Sequence, residues 1–172
     1  TGLVGSESKI ILWDELDAWR EKVRAEGCSL AVTNGCFDII HSGHVIYLEN
    51  ARKEADLLLV GVDSDQSVRA IKGPERPVNA QGDRARVLAA LEAVSAVCIF
   101  EGVGAINFLK KVMPDVYVKG GDYTLETLVP EERAFMEKSH IRIVLSPGVQ
   151  GKSTTGVIEK LFASRSKQED KQ

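Results

Sequence analysis

The chain has 172 residues, 44% of them hydrophobic and 27% charged, a composition typical of a soluble globular domain with a sizeable core. Its formal net charge of -3 gives no electrostatic basis for binding nucleic acid or an anionic membrane, so we expect its partners to be small molecules. It has no apolar run near the ~20 residues that span a bilayer and no recognisable secretory leader, and we therefore expect a cytoplasmic protein.

The first half of the chain predicts a helix followed by a β-α-β unit. Residues 1–9 are small and polar without periodicity, and we expect them to form a flexible N-terminus. The next elements are predicted as a helix over 11–26, a strand over 30–33, a helix over 44–55 and a strand over 57–62. The last of these is a continuous apolar run, which is typical of a parallel strand buried on both faces.

The second half continues the alternation of strands and helices. A short helix and an irregular loop are predicted over 66–79, followed by a helix over 83–93 with Val87, Leu88 and Leu91 facing inward. The remaining elements are predicted as a strand over 96–100, a helix over 105–113, a strand over 116–118, a helix over 130–139, a strand over 141–145 and a helix over 154–163. Residues 164–172 are charged and are expected to form a disordered tail.

Together these elements predict one α/β domain over residues 10–163. Five short apolar strands alternating with helices indicate a Rossmann-like, five-stranded parallel sheet with right-handed crossovers and helices on both faces. The expected strand order is 3-2-1-4-5.

Polar clusters follow the carboxyl ends of four predicted strands. They are Asn34 to His44, Asp63 to Asp65, Lys119 to Asp122, and Gly151 to Thr155. Ligands of open α/β sheets bind at that edge of the sheet. The sequence therefore predicts a single site to which all four clusters contribute.

The first cluster combines a glycine turn with two histidines. Gly35 lets the backbone approach a phosphate closely, and the following helix start supplies N–H donors. His41 and His44 project to the same side, where imidazole can donate a hydrogen bond or, when protonated, add positive charge. A pair of helix-capping or surface histidines explains a bare H-x-G-H equally well. A metal site that includes Asp38 is less favoured, because H-E-x-x-H spacing is absent, and no P-loop or dinucleotide motif is present.

Further polar residues extend the predicted site. Helix capping explains one hydroxyl of Ser153, Thr154 and Thr155, whereas three beside Lys152 favour an anion site. Lys119 ends a buried strand, which is unusual for lysine unless it meets an anion. The glycines after it permit either close approach of a ligand or a tight turn. Lys72 and Arg76 lie in a loop that can fold over this edge, although a solvated basic loop is the simpler explanation when they are judged alone.

With these motifs in place, the chain resembles the nucleotidylyltransferase superfamily, whose members share an H-x-G-H and a late S-T-T signature. More narrowly, it resembles the D-glycero-D-manno-heptose 1-phosphate adenylyltransferase family of bacterial lipopolysaccharide synthesis, which is often fused to a sugar kinase. The match covers about residues 10–162. Its motifs are Thr33-Asn34-Gly35-Cys36-Phe37-Asp38, Leu58 to Asp65, Arg76-Pro77-Val78-Asn79, Leu91-Glu92-Ala93-Val94 and Val118-Lys119-Gly120-Gly121-Asp122-Tyr123.

The resemblance implies transfer of AMP from ATP to heptose 1-phosphate, giving ADP-heptose and pyrophosphate, with magnesium carried by ATP and not by protein side chains. Catalytic roles are implied for His41, His44 and Lys72. Nucleotide binding is implied for Asn34, Gly35, Cys36, Phe37, Ser153, Thr154 and Thr155. Sugar-phosphate binding is implied for Asp38, Asp63, Arg76, Lys119, Gly120 and Asp122.

Two other functions stay open at this point. One is a cytidylyltransferase acting on glycerol 3-phosphate or a similar polyol phosphate, and the other is a non-catalytic module that senses nucleotides. The cytidylyl branch commonly has an arginine shortly before S-T-T, where this chain has Gln150-Gly151-Lys152, and a histidine in place of Lys119. Both differences favour the heptose group. Because relatives commonly associate, we expect a homodimer or a larger homo-oligomer.

Overall fold

The computed structural model describes residues 5–121, 123–148 and 152–169, with side chains as far as residue 164. The described chain forms a five-stranded, wholly parallel sheet in the order β3-β2-β1-β4-β5, which confirms the predicted order. The strands are β1 (Leu30–Gly35), β2 (Leu57–Asp63), β3 (Ala96–Phe100), β4 (Val116–Gly120) and β5 (Arg142–Ser146). Strand β1 is central, and it pairs with β2 on one side and β4 on the other.

Helices cover both faces of the sheet, as predicted. The described α-helices are α1 (Leu16–Ala25), α2 (Ser42–Arg52), α3 (Asp65–Lys72), α4 (Gln81–Ala89), α5 (Ile106–Val112), α6 (Pro130–Lys138) and α7 (Thr154–Glu169). Short 3-10 helices occupy Ser6–Lys9, Trp13–Glu15 and Leu125–Thr127. No helix among the described residues has both the length and the apolar character that crossing a bilayer requires.

Alternation along each strand divides the core into two layers. Leu30 and Val32 of β1 pack with side chains of α1, α5 and α6, whereas Ala31 packs with those of α2 and α4. Because both faces are covered, ten of the thirteen residues of β1 and β2 are buried. This explains why their sequences are continuous apolar runs.

The N-terminal part differs from the prediction. The first helix begins at Leu16 and not at residue 11, because Ile10 and Ile11 run extended beside β3, where the Ile11 N–H donates to the Val97 carbonyl at 2.8 Å. A 3-10 helix lies at Ser6–Lys9, where irregular chain was expected, and the Lys9 ammonium donates to the Val94 carbonyl at 2.9 Å. Pairing between distant backbone segments has no signature in the local sequence pattern, so the apolar residues at 10 and 11 could not be distinguished from the start of a helix.

Two later helices also differ from the prediction. Helix α4 begins two residues earlier than expected and ends at Ala89, and Val87 is 47% exposed instead of facing inward. Its buried face consists of Arg84, Ala85, Leu88 and Ala89. The spacing of apolar residues could not identify this buried face, because one of its positions is occupied by an arginine. Helix α7 continues to Glu169, beyond its predicted end and into the expected disordered tail.

Candidate active site

A cleft of about 600 Å³ opens at the carboxyl ends of the central strands. It is lined by the predicted residues Asn34, Gly35, Cys36, Phe37, Asp38, His41, His44, Asp63, Lys72, Arg76, Lys119, Gly120, Ser153, Thr154 and Thr155. Asp122 lies outside the described residues. The fold therefore gathers fifteen of the sixteen predicted side chains or turns around one space, although their individual roles stay predictions.

The turn after β1 is shaped by Phe37. Its φ of 48° places this residue in the left-handed region, and the residue is 6% exposed. The ring covers Gly35 so closely that a Cβ there would lie 3.1 Å from Phe37 Cε2. Glycine at position 35 thus lets the aromatic ring fold back beneath the cleft.

The two histidines cap helix α2 and face the cleft at the same time. His41 is the N-cap residue, and its Nδ1 accepts a hydrogen bond from the Gly43 N–H at 3.1 Å. The His44 Nδ1 accepts from the His41 N–H at 3.2 Å, and the two ring centroids lie 4.0 Å apart. Capping and ligand binding are therefore compatible, because each cap uses one ring nitrogen and leaves Nε2 available.

These bonds assign a tautomer to both rings. An Nδ1 that accepts a hydrogen bond carries no proton, so the neutral imidazole carries its proton on Nε2. Burial and the neighbouring His41 lower the pKa of His44 to about 4, and burial together with Lys152 lowers the pKa of His41. Without a ligand, both rings are thus neutral near pH 7 and act as Nε2–H donors rather than as cations.

The start of α7 closes the cleft on the histidine side. The Ser153 hydroxyl accepts from the Gly156 N–H at 3.0 Å and so caps the helix, while Thr154 donates to the Ile39 carbonyl at 3.3 Å. The Lys152 ammonium donates to the Ser42 hydroxyl at 2.6 Å. The Ser153 hydroxyl therefore caps α7, and the Thr154 hydroxyl connects α7 to the turn before α2. Thr155 is exposed in the cleft.

Asp38 anchors the loop that follows Lys72. Its carboxylate accepts from Arg76 Nε at 2.7 Å and from the Val78 and Asn79 N–H groups at 2.9 Å each, and its side chain is 1% exposed. Burial opposes ionisation, but the bonds from Asn79, Val78 and Arg76 outweigh it and lower the pKa of Asp38. With three donors already bound, Asp38 supports the loop, and its contact with the sugar phosphate stays a prediction.

The end of β4 forms the opposite wall. A Cβ on Gly120 would lie 2.9 Å from the Tyr47 ring, so the glycine is required by packing against α2. The Tyr47 hydroxyl donates to the Val118 carbonyl at 3.0 Å. The Lys119 ammonium lies 4.7 Å from the centroid of the Tyr123 ring, within cation–π distance.

The sequence assigned no site role to Arg84 or Tyr47, and it gave Tyr123 only as part of the motif at 118–123. Arg84 is fully buried, and its guanidinium donates to the Asn79 and Cys36 carbonyls and to Asp65 Oδ1 at 2.8 Å. It joins the turn after β1, the start of α3 and the loop before α4. Its spacing of four residues from Leu88 on a predicted helix was the one available signal, since it places an arginine on the core face. Within the described residues, no group of three acidic, histidine or cysteine side chains is placed to hold a metal ion.

The chain is similar in sequence to known proteins. The family model described as cytidylyltransferase-like matches residues 32–165. The chain is 51% identical over 146 residues to the bifunctional protein HldE of Mesorhizobium japonicum and 47% identical over 157 residues to that of Campylobacter fetus. These alignments cover 85% and 91% of this chain but 28% and 32% of the relatives, so the chain spans about a third of their length.

A solved structure shows the same fold. The crystal structure of the lipopolysaccharide core biosynthesis protein from Thermoplasma volcanium superposes with a TM-score of 0.63 at 24% identity, over 72% of this chain and 100% of that one. At this identity the likeness concerns the fold alone.

Proposed function

The chain belongs to the cytidylyltransferase-like family, and from that premise we propose that it transfers AMP from ATP to heptose 1-phosphate, forming ADP-heptose and pyrophosphate. The observation that carries the proposal is the pair of capped imidazoles. Hydrogen bonds from the backbone hold both rings so that Nε2–H donors remain for a ligand beside the N-terminus of α7. Such an arrangement is suited to phosphate oxygens.

The chemistry is an in-line displacement at the α-phosphorus of ATP. An oxygen of the sugar phosphate forms a new bond to that phosphorus while the bond to the bridging oxygen of the β-phosphate breaks, and pyrophosphate leaves with the electron pair. A phosphate monoester is already ionised near neutral pH. No general base is needed, and the protein's contribution is positioning and stabilisation of negative charge.

We assign His41 and His44 to the α- and β-phosphate oxygens. Neutral donors suit this role, because they need no proton exchange as charge moves from the α-phosphorus to the leaving group. The N-terminus of α7 and Thr155 are assigned to the β- and γ-phosphates, and the turn at Gly35 to the nucleotide.

Lys72 is assigned to bridge the two reacting phosphates. It is exposed at the end of α3 and lines the cleft, close enough to Asp63 to affect the pKa of that carboxyl. The loop that follows α3 donates hydrogen bonds to the Asp38 carboxylate, and these bonds hold the segment that carries Lys72 near the cleft. Magnesium is proposed to enter with ATP, bound to its phosphates, where it offsets part of their charge.

The choice of heptose and ATP rests on the sequence motifs at 76–79 and 118–123 and on the similarity to the bifunctional relatives. We also propose that the protein acts in the cytoplasm, where ATP is available, and as a homodimer or a larger homo-oligomer. The resemblance to associating relatives supports the latter, and the mass measured by light scattering tests it.

The proposed function is tested by following pyrophosphate release with magnesium, ATP and both anomers of heptose 1-phosphate. CTP replaces ATP in parallel reactions, and glycerol 3-phosphate replaces the sugar phosphate. We expect release with ATP and one heptose 1-phosphate anomer. Preference for CTP and glycerol 3-phosphate would instead identify a polyol cytidylyltransferase, and binding of ATP without release under any condition would identify a nucleotide-sensing module.

A further inference from the structure

A buried carboxylate in the floor of the cleft, Asp63, is given no contact in the transfer chemistry described above, although the resemblance implies that it binds the sugar phosphate. Asp63 is the last residue of β2, it is 5% exposed, and it lines the cleft beside Cys36. Burying a carboxylate without strong partners is costly. A group retained at such a position calls for an explanation.

The protein itself satisfies Asp63 poorly. Among the described residues, its hydrogen-bond donor is the Cys36 thiol, with Sγ 3.5 Å from Oδ2, and a thiol is a weak donor. Arg84 lies nearby, but its guanidinium is bonded to the Cys36 and Asn79 carbonyls and to Asp65. Among the described residues, no hydrogen bond reaches the other carboxylate oxygen, Oδ1, and Asp63 lines the cleft.

The charges around Asp63 divide the cleft into two parts. Lys72 and Lys119 are near enough to favour its ionised form, although burial outweighs them and raises the pKa of Asp63. The histidine donors and the start of α7 lie in the part of the cleft that suits phosphate. A phosphate placed against Asp63 would meet a like charge in a region of low dielectric constant, which is unfavourable. An anion is therefore unfavourable beside Asp63, and the neighbouring Lys72 and Lys119 make a cation unfavourable as well. This leaves an uncharged group that carries hydrogen-bond donors.

The hydroxyl groups of a sugar meet that description, because each offers an O–H donor that a carboxylate accepts strongly. Resting on the sugar-phosphate transfer proposed above, we propose that Asp63 binds the sugar through its hydroxyl groups and selects polyhydroxylated substrates. Lys72 and Lys119, which also line the cleft, then receive the phosphate. The cleft thus recognises a substrate in which a phosphate is joined to a polyol.

A purely structural role, in which Asp63 neutralises the neighbouring lysines, makes a different prediction. Loss of a structural carboxylate would disturb ATP and sugar phosphate alike and would not depend on which hydroxyls the substrate carries. A hydroxyl-binding role confines the loss to the sugar and makes it depend on particular hydroxyls. Sites that bond a substrate hydroxyl discriminate strongly against analogues lacking it, because their own polar group is then left unpaired.

The test compares steady-state kinetics of the wild type, Asp63→Asn and Asp63→Ser, with Asp83→Asn as a matched control that removes an exposed carboxylate from α4. ATP, heptose 1-phosphate and a series of its monodeoxy analogues are the substrates. In Asp63→Asn, kcat/KM for heptose 1-phosphate should fall by about 10- to 100-fold. The KM for ATP should stay within about twofold, as one bond to the sugar alone is lost.

The analogue series supplies the second readout. At least one monodeoxy analogue should react about 10- to 100-fold more slowly than heptose 1-phosphate with the wild type, and this penalty should largely vanish in Asp63→Asn. Asp63→Ser serves the same purpose if the asparagine variant does not fold. If the wild type is active and Asp63→Asn has the same kcat/KM for heptose 1-phosphate, the inference is wrong while the proposed function stands. The same holds if the variant loses activity equally toward ATP and the sugar phosphate. A wild type that releases no pyrophosphate from any sugar 1-phosphate would overturn the proposed function, and the inference with it.

Discussion

Two replacements of His44 distinguish the contribution of its capping bond from that of its proposed contact with phosphate. His44 is the third residue of α2, and its Nδ1 accepts from the N–H of the N-cap residue His41. Glutamine is a natural residue at this position of a capping box, because its side-chain oxygen can accept the same bond. The His44→Gln variant should therefore keep the cap while losing the fixed Nε2–H donor, whereas His44→Ala loses both.

The expected magnitudes follow from these contacts. Loss of a capping bond costs about 1 kcal/mol, and alanine also removes the ring that lies 4.0 Å from His41 and 5.7 Å from Phe37 between centroids. We expect His44→Gln to lie within about 0.5 kcal/mol of wild type in the free energy of unfolding, and His44→Ala about 1–2 kcal/mol below it. In both variants kcat should fall by about 10²-fold or more, as for removal of one transition-state donor.

Pyrophosphate release measures kcat, and chemical denaturation measures stability. His140→Gln is the matched control, since His140 is exposed and does not line the cleft. It should leave kcat unchanged. A folded His44→Gln protein with wild-type kcat would refute the reasoning, because the rate would then not depend on the donor at this position.

Three other perturbations test the supporting geometry. Gly43→Ala should lower kcat by about 10²-fold, because its Cβ would lie 2.8 Å from the His41 ring and displace it; wild-type kcat would contradict this. Its free energy of unfolding should change little, because the helix preference of alanine offsets the loss of the His41 capping bond. Asp38→Asn should lower the free energy of unfolding by about 1.5–3 kcal/mol and raise KM for the sugar phosphate. The reason is that an amide replaces a carboxylate that accepts bonds from three donors. A denaturation curve and a KM equal to those of the wild type would contradict this. Because burial lowers the pKa of His44 to about 4, the unfolded state binds more protons between about pH 6.5 and 4. Stability should fall by about 2 kcal/mol as the pH is lowered through this window, after allowance for solvent screening, and His44→Gln should flatten the decline measured by denaturation at each pH.

The sheet and the location of the cleft were predictable because their signals are local. Buried parallel strands are continuous apolar runs such as Leu57 to Val62, and polar residues that follow such runs must meet at one edge of the sheet. The first helix was predicted too early because Ile10 and Ile11 pair with β3 through a contact distant in the chain.

The arrangement inside the cleft depends on contacts between distant segments. Arg84 bonds to Cys36, Asn79 and Asp65, and no spacing rule predicts three such partners. The sequence left capping and phosphate binding as rival explanations of the histidine pair. The structure shows that they are compatible, because capping uses Nδ1 and leaves Nε2 for a ligand.

The proposed transfer of AMP is tested most directly by labelled ATP. The protein is incubated with magnesium, heptose 1-phosphate and ATP that carries radioactive phosphorus at either the α- or the γ-position, and the products are separated. We expect the α-label in ADP-heptose and the γ-label in pyrophosphate. Appearance of the γ-label on the sugar, or recovery of intact ATP under conditions where it binds, would contradict attack at the α-phosphorus.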